Sequence, residues 1–171
     1  MSESILYLTE SDVKQAITVA EAIDLAEKGI SADAVGDVAG DKFYMDVGDR
    51  GFIKPFSGYM AGEEFAFVKT FSYFPDNPEQ FGCSTTSSMV LLFDARTGLP
   101  VCLMEASWAT ALKTGASTTV TAIYLARSDS KAVTVFGAGQ LGRMHLRALA
   151  HRFDLQQAYV VDIIPELAEV Y

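Results

Sequence analysis

The sequence predicts an α/β protein in two unlike parts: helices with a mixed sheet over residues 1–127, then the opening β-α-β of a doubly wound parallel sheet over 128–171, cut short. Three observations predict it. Ala132–Phe136 is a short, apolar, β-branched run of the kind buried on both faces of a parallel sheet. A glycine-rich turn, a helical pattern and a second strand-like run, Ala158–Val161, follow it within about thirty residues. Upstream, alternating apolar runs separated by turn signals read as a mixed sheet.

Taken in order, Thr9-Glu-Ser-Asp12 and Thr18-Val-Ala-Glu21 are capping sequences that open two helices. The first turns Val13, Ala16 and Ile17 inward; the second turns Val19, Ile23, Ala26 and Ile30 inward and fades between Ala34 and Asp41. Lys42–Val47 and Gly51–Lys54 read as short strands around a Gly48-Asp49 turn, with Lys54, before Pro55, at an exposed strand end. Phe65–Ser72 alternates, so Lys69 shares a face with Phe65, Phe67 and Phe71. Tyr73–Pro78 is a turn-forming loop. Ser87–Phe93 and Leu99–Glu105 flank Asp94–Gly98, a hairpin connection with glycine for a left-handed position. Ser107–Arg127 reads as one long helix, with Trp108 and Tyr124 assigned to the core, and 128–130 link it to the next strand. Gly115 in its middle costs about 1 kcal/mol of helix propensity. Close approach of another backbone or of a ligand offsets such a cost, and the sequence alone does not choose between the two.

The turn after Phe136 carries the most chemistry. Gly137-Ala-Gly139-Gln140-Leu141-Gly142 has the G-x-G-x-x-G spacing of a Rossmann-type dinucleotide fold. Gly137 serves the tight turn, Gly139 lets backbone approach a pyrophosphate, and Gly142 lets the helix pack on its strand. The amides around Gln140 and Leu141 then present N–H groups and the positive dipole end to an anion. Asp162 lies twenty residues past Gly142 at the tip of the second strand, where a carboxylate accepts from a ribose 2′-hydroxyl and repels a 2′-phosphate. The expected cofactor is NAD in preference to NADP. His145 and His151 are six apart on the helix and face different sides, so no metal site is expected.

Composition narrows the class further. The 171 residues are half hydrophobic and one-fifth charged, enough for a packed core. A net charge of −9 argues against nucleic acid or an anionic membrane surface as partner. No apolar run is long enough to span a bilayer, and the N-terminus lacks the basic start of a signal peptide. Cys83 and Cys102 form no framework and read as reduced core residues, so a cytoplasmic location is expected. A pair of parallel strands cannot bury both faces of such a sheet, so the chain reads as the N-terminal part of a longer protein.

Phe67-Val-Lys69-Thr70, Ser88–Asp94, Thr97-Gly98, Met104–Ala116 and the glycine turn, in that order, resemble the ornithine cyclodeaminase / mu-crystallin family. The resemblance covers essentially the whole chain. It implies a homodimeric NAD(P)-dependent enzyme acting on amino acids or cyclic imines, with residues 1–127 as a substrate-binding and dimerisation domain. By the same resemblance Lys69 is the catalytic lysine that meets the substrate carboxylate and reacting nitrogen. Lys42 clamps the carboxylate, Lys113 meets substrate or cofactor, Thr114 faces the nucleotide, and Thr85 touches the cofactor. Positions 42 and 113 carry lysine where the family carries arginine, which exchanges a planar bidentate fork for a mobile point charge. The family's acidic catalytic residue belongs to the half of the nucleotide domain beyond this chain, so the chain alone is expected to be inactive. Hydride transfer at the α-carbon through an imine is the implied chemistry. Cyclodeaminase, dehydrogenase, ketimine reductase and a non-catalytic crystallin-like binder all stay open.

Overall fold

The computed structural model describes residues 4–169 and 171. Both capping sequences form closed boxes. The Thr9 hydroxyl and N–H donate to Asp12 Oδ2 at 2.6 and 2.9 Å, and the Asp12 N–H donates back to Thr9 Oγ1 at 3.3 Å, opening α1 (Glu10–Ala16). Thr18 and Glu21 repeat the arrangement at 2.7, 2.8 and 3.3 Å and open α2 (Val19–Ala34). The threonine hydroxyls, and then the threonine amides, hold the Asp12 and Glu21 carboxyls below the usual carboxylate range. Val13, Ala22 and Ile23 are buried as the periodicity requires, whereas Ala16 and Ile30 face solvent.

Contacts divide the chain into two compact units, residues up to Ala16 with Ser31–Trp108, and Ile17–Ile30 with Ala109–Tyr171. The first unit is a mostly antiparallel sheet. Its strands are β1 (Leu6–Leu8), β2 (Val38–Lys42), β3 (Met45–Asp46), β4 (Phe52–Met60), β5 (Phe65–Tyr73), β6 (Thr86–Asp94) and β7 (Pro100–Glu105). Among the described residues they lie in the order β1-β7-β6-β5-β4-β2, with β3 also paired to β4, and only β1 on β7 is parallel. The β6–β7 hairpin closes as its turn chemistry predicts. The Asp94 carboxylate accepts from the Arg96 and Thr97 amides at 2.8 and 3.0 Å, and Gly98, at φ +72°, donates to the Asp94 carbonyl.

Four expectations fail in this unit. β4 does not stop at Lys54: it continues through Pro55 to Met60, paired on both sides, so Lys54 is a half-buried mid-strand residue. Pro55 is accommodated by contributing its carbonyl, which accepts the Phe43 N–H at 3.0 Å. The strand expected over Lys42–Val47 is replaced by β2, which ends at Lys42, and the two-residue β3, and Tyr73–Pro78 leads into a short helix, α3 (Asn77–Phe81), instead of remaining loop throughout. Cys102 is buried, which pushes its thiol pKa up, but Cys83 follows the left-handed cap of α3 and is exposed.

The second unit contains α4 (Ser107–Leu125), β8 (Ala132–Phe136), α5 (Gln140–Arg152), β9 (Gln157–Val161) and α6 (Pro165–Glu169), with β8 and β9 paired in parallel. Its core gathers Ile23 of α2, Leu112, Ala116 and Thr119 of α4, and Met144 and Ala148 of α5. Glu27 accepts a hydrogen bond from the Tyr124 hydroxyl, and Asp24 pairs with Arg152, so α2 is tied to α4 and α5. A Cβ on Gly115 would stand 2.7 Å from the Met144 carbonyl oxygen. Close backbone approach of α5, and no ligand, therefore accounts for that glycine. Tyr124 is 68 % exposed, so it is no core residue, while Trp108 is half-buried. β8 is not buried on both faces either: Val135 is buried on one face, whereas Ala132, Thr134 and Phe136 alternate onto the other and are exposed.

Candidate functional site

Strand register assembles a candidate site in the first unit. Directly opposed residues share a face, and Lys42 pairs with Phe56, Phe56 with Lys69, Lys69 with Val90, and Val90 with Met104. Lys42 and Lys69 therefore lie in one cross-strand row, two strand spacings apart (about 10 Å between backbones), with the Phe56 ring between them. Lys69 is half-buried and Lys42 exposed. Tyr44, Phe52, Phe71 and Tyr73 form a ring cluster whose centroids are 4.7 to 6.2 Å apart. The register puts Phe52, Phe71 and Tyr73 on the lysine face. The face thus offers flat apolar area beside ammonium groups, suited to an organic acid with an apolar body.

Sequence reasoning missed Phe56 and misplaced Lys54. The period-two pattern Phe52, Lys54, Phe56 was the available signal, and Pro55 masked it by reading as a strand end. The Lys54 ammonium lies over the Phe56 ring, 5.4 Å from its centroid.

Not every predicted residue joins this row. Thr85 is half-buried just beyond the β5–β6 ladder, with its carbonyl accepting the Phe74 N–H at 2.8 Å. It stands more than four ladder steps from Lys69, about 13 Å or more along the strand. Lys113 and Thr114 belong to the second unit, on α4. Lys113 is exposed, and Thr114 donates its hydroxyl proton to the Thr110 carbonyl at 2.6 Å, leaving its lone pairs for an outside donor.

The second unit carries the glycine turn, and the structure bears on each glycine differently. Gly137 sits at φ +100°, a conformation that side chains rarely adopt, and its N–H donates to the Val161 carbonyl at 2.7 Å. A Cβ on Gly142 would fall 2.0 Å from the Gly137 carbonyl oxygen, so the third glycine lets α5 close on the turn. Gly139, the N-cap of α5, makes no side-chain cap, and a Cβ there would meet nothing within 4 Å. A cleft of ≈ 540 Å³ opens at this point, lined by Thr134, Phe136, Gly137, Gly139, Leu141 and Gly142 among others. Uncapped first-turn amides beside open space meet the requirements of a diphosphate.

Asp162 has a structural task in addition to the one expected from its spacing. Its Oδ2 accepts the Ala138 N–H at 2.6 Å and its Oδ1 the Ile164 N–H at 2.9 Å, so the strand tip braces the turn. The Ala138 amide, then that of Ile164, holds this carboxyl below the usual carboxylate range. A carboxylate has about four lone-pair sites, and these two bonds leave acceptor capacity for a hydroxyl.

A strand, glycine turn, helix and parallel strand in one unit, and a mostly antiparallel sheet with a lysine-bearing face in the other, define an α/β protein that contains the opening of a Rossmann-type fold. The chain belongs to the ornithine cyclodeaminase/mu-crystallin family, whose sequence profile matches residues 3–170. It is 28 % identical over 167 residues to an alanine dehydrogenase of Archaeoglobus fulgidus, covering 97 % of this chain and 51 % of that protein. The structure of Thermococcus litoralis Δ1-pyrroline-2-carboxylate reductase, in complex with NADH and L-proline, superposes with a TM-score of 0.92 at 33 % identity, covering 97 % of this chain and 52 % of that one. An archaeal alanine dehydrogenase dimer with bound NAD superposes with a TM-score of 0.90 at 28 % identity, covering 97 % and 51 % respectively. The chain thus spans about half the length of these relatives. Among the described residues, no helix is long and apolar enough to cross a membrane, and no cluster of potential metal ligands is found.

Proposed function

We propose that the protein carrying this chain is an NAD-dependent oxidoreductase acting at the α-carbon of an amino acid or of the corresponding cyclic imine. The observation that carries the proposal is the row Lys42–Phe56–Lys69, which sets two ammonium groups about an aromatic ring on one sheet face. Lys42 and Lys69 hold the substrate carboxylate, and Lys69 also meets the reacting nitrogen. The aromatic cluster takes the carbon skeleton, and fixing both ends of the acid restrains the α-carbon between them. Lys113 and Thr114 assist on the α4 side, and Thr85 contacts the cofactor. The uncapped start of α5 binds the diphosphate through amides near Gln140 and Leu141, while Asp162 accepts from the ribose and selects NAD over NADP. NAD, when bound, supplies the hydride acceptor in oxidation and, reduced, the donor in the reverse direction.

Relatives named alanine dehydrogenase and pyrroline-2-carboxylate reductase support this reaction class, and the relative described as a dimer supports assembly as a homodimer. The test is to incubate the intact protein with NAD, NADH and NADPH against a panel of amino acids and cyclic imines, following the near-ultraviolet absorbance of reduced nicotinamide. Substrate-dependent change with NAD or NADH supports the proposal. Cofactor binding without turnover on any member refutes it in favour of a non-catalytic binder.

A further inference from the structure

Lys54 is a third cation on the face that carries Lys42 and Lys69. It lies two residues from Phe56 on β4, so its side chain emerges on the same side, about 7 Å along the strand. Its ammonium leans back over the Phe56 ring, 5.4 Å from the centroid, toward the row of the other two lysines. Its stem is half-buried, so the position is not a freely solvated strand end. Among the described residues no carboxylate pairs with Lys54 or Lys42 within 4.0 Å. Asp46, the acid on neighbouring β3, instead accepts the Gly48 N–H at 2.9 Å.

Lys42 and Lys54, two cations beside one ring without a carboxylate partner among the described residues, are a local reversal of sign in a chain of net charge −9. A neutral amino acid brings one carboxylate and one ammonium, which cancel, and leaves the Lys54 charge uncompensated. A dicarboxylic amino acid brings a net negative charge, and its two carboxylate carbons stand roughly 4–5 Å apart. The offset of Lys54 along β4 lies within reach of the second group once flexible lysine stems are allowed for. A diamino acid would bring a further cation to the same place.

We propose that Lys54 is a specificity-determining residue that receives a second carboxylate, making the preferred ligands dicarboxylic amino or imino acids. The inference rests on the assignment of the lysine face as the carboxylate site. It is tested by titration calorimetry of the intact protein, with NADH present, using L-glutamate and L-norvaline, which share a five-carbon skeleton. L-Glutamate binds about tenfold more tightly than L-norvaline, as one charge-assisted hydrogen bond provides. The ratio falls toward one in Lys54→Gln and Lys54→Met and persists in Lys54→Arg, with circular dichroism confirming that each variant is folded. Equal affinities, no measurable glutamate binding, or a ratio unchanged in both neutral variants overturns the inference. Reduction of NAD by a neutral amino acid in that case leaves the oxidoreductase reading standing. A Lys54-dependent glutamate preference without any turnover would refute that reading and keep this one.

Discussion

Replacing Gly115 with alanine sets two effects of known size against each other. Alanine is the better helix former by about 1 kcal/mol in a helix interior, so on propensity alone the variant is more stable. The new methyl, however, would stand 2.7 Å from the Met144 carbonyl oxygen and 3.0 Å from its carbon, both backbone atoms that cannot rotate away. Pushing α4 and α5 apart opens the contact that buries Leu112, Ala116 and Ala148, each no more than 2 % exposed. Overpacking costs about 1–3 kcal/mol, and a clash with fixed backbone atoms falls in the upper part of that range, about 2–3 kcal/mol, so the steric effect wins and the net loss is about 1–2 kcal/mol. Gly29, inside α2, is the control: a Cβ there meets nothing within 4 Å, and Gly29→Ala gains up to about 1 kcal/mol. Urea and thermal unfolding of both variants decide the matter, at about 2–4 °C per kcal/mol for a protein of this size. A higher midpoint for Gly115→Ala than for the parent protein would refute the reasoning, because the helices would then have room to spare.

Other consequences are open to measurement. Lys69→Ala lowers kcat/KM by about 100-fold or more, through loss of a charge-assisted contact to the carboxylate, and unchanged steady-state kinetics would remove that lysine from the site. Asp162→Ser weakens NAD and raises the relative affinity for NADP, read by fluorescence titration with both reduced cofactors. Because the Ala138 amide depresses the Asp162 pKa, its bracing of the turn is complete above pH 3.8 and is lost only as pH falls through the lower folded value; exchange of the Ala138 amide with solvent should therefore stay slow down to that range. Asp94, held at about 2 by Arg96 first, keeps its hairpin turn closed until still more acid conditions, and its carboxyl titration by NMR checks the value. Thr18→Ala opens the box at the start of α2 and costs about 1 kcal/mol of stability.

Local chemistry was legible wherever partners are close in the chain. Each capping box closes over a separation of three positions, and the Asp94–Gly98 turn closes on its own carboxylate; both formed as read. Strand β1 was not legible, because three residues become a strand only by pairing with β7, nearly a hundred positions away. β4 was truncated in the reading because Pro55 is an intrinsic breaker, and its acceptance depends on neighbours that a local pattern does not contain. The same error hid Lys54 and Phe56. The Lys42–Lys69 row depends on the β2–β4–β5 register, which alternation fixes by parity but not by position. Burial was misjudged at Tyr124 and Cys83, where an apolar side chain says nothing about which face its neighbours leave open.

The two units also differ in how soon their parts exist during synthesis. Apart from Leu6–Leu8, the sheet is contributed by one uninterrupted run, and its final strand is complete at Glu105. The nucleotide unit instead needs Asp24 and Glu27 to wait for Arg152 and Tyr124, more than ninety residues later. A ribosome therefore delivers the whole sheet while α2 is still without its partners. The ring-and-ammonium surface is complete in the chain before the glycine turn has been synthesised, and the order of translation lets the sheet be the first unit to fold.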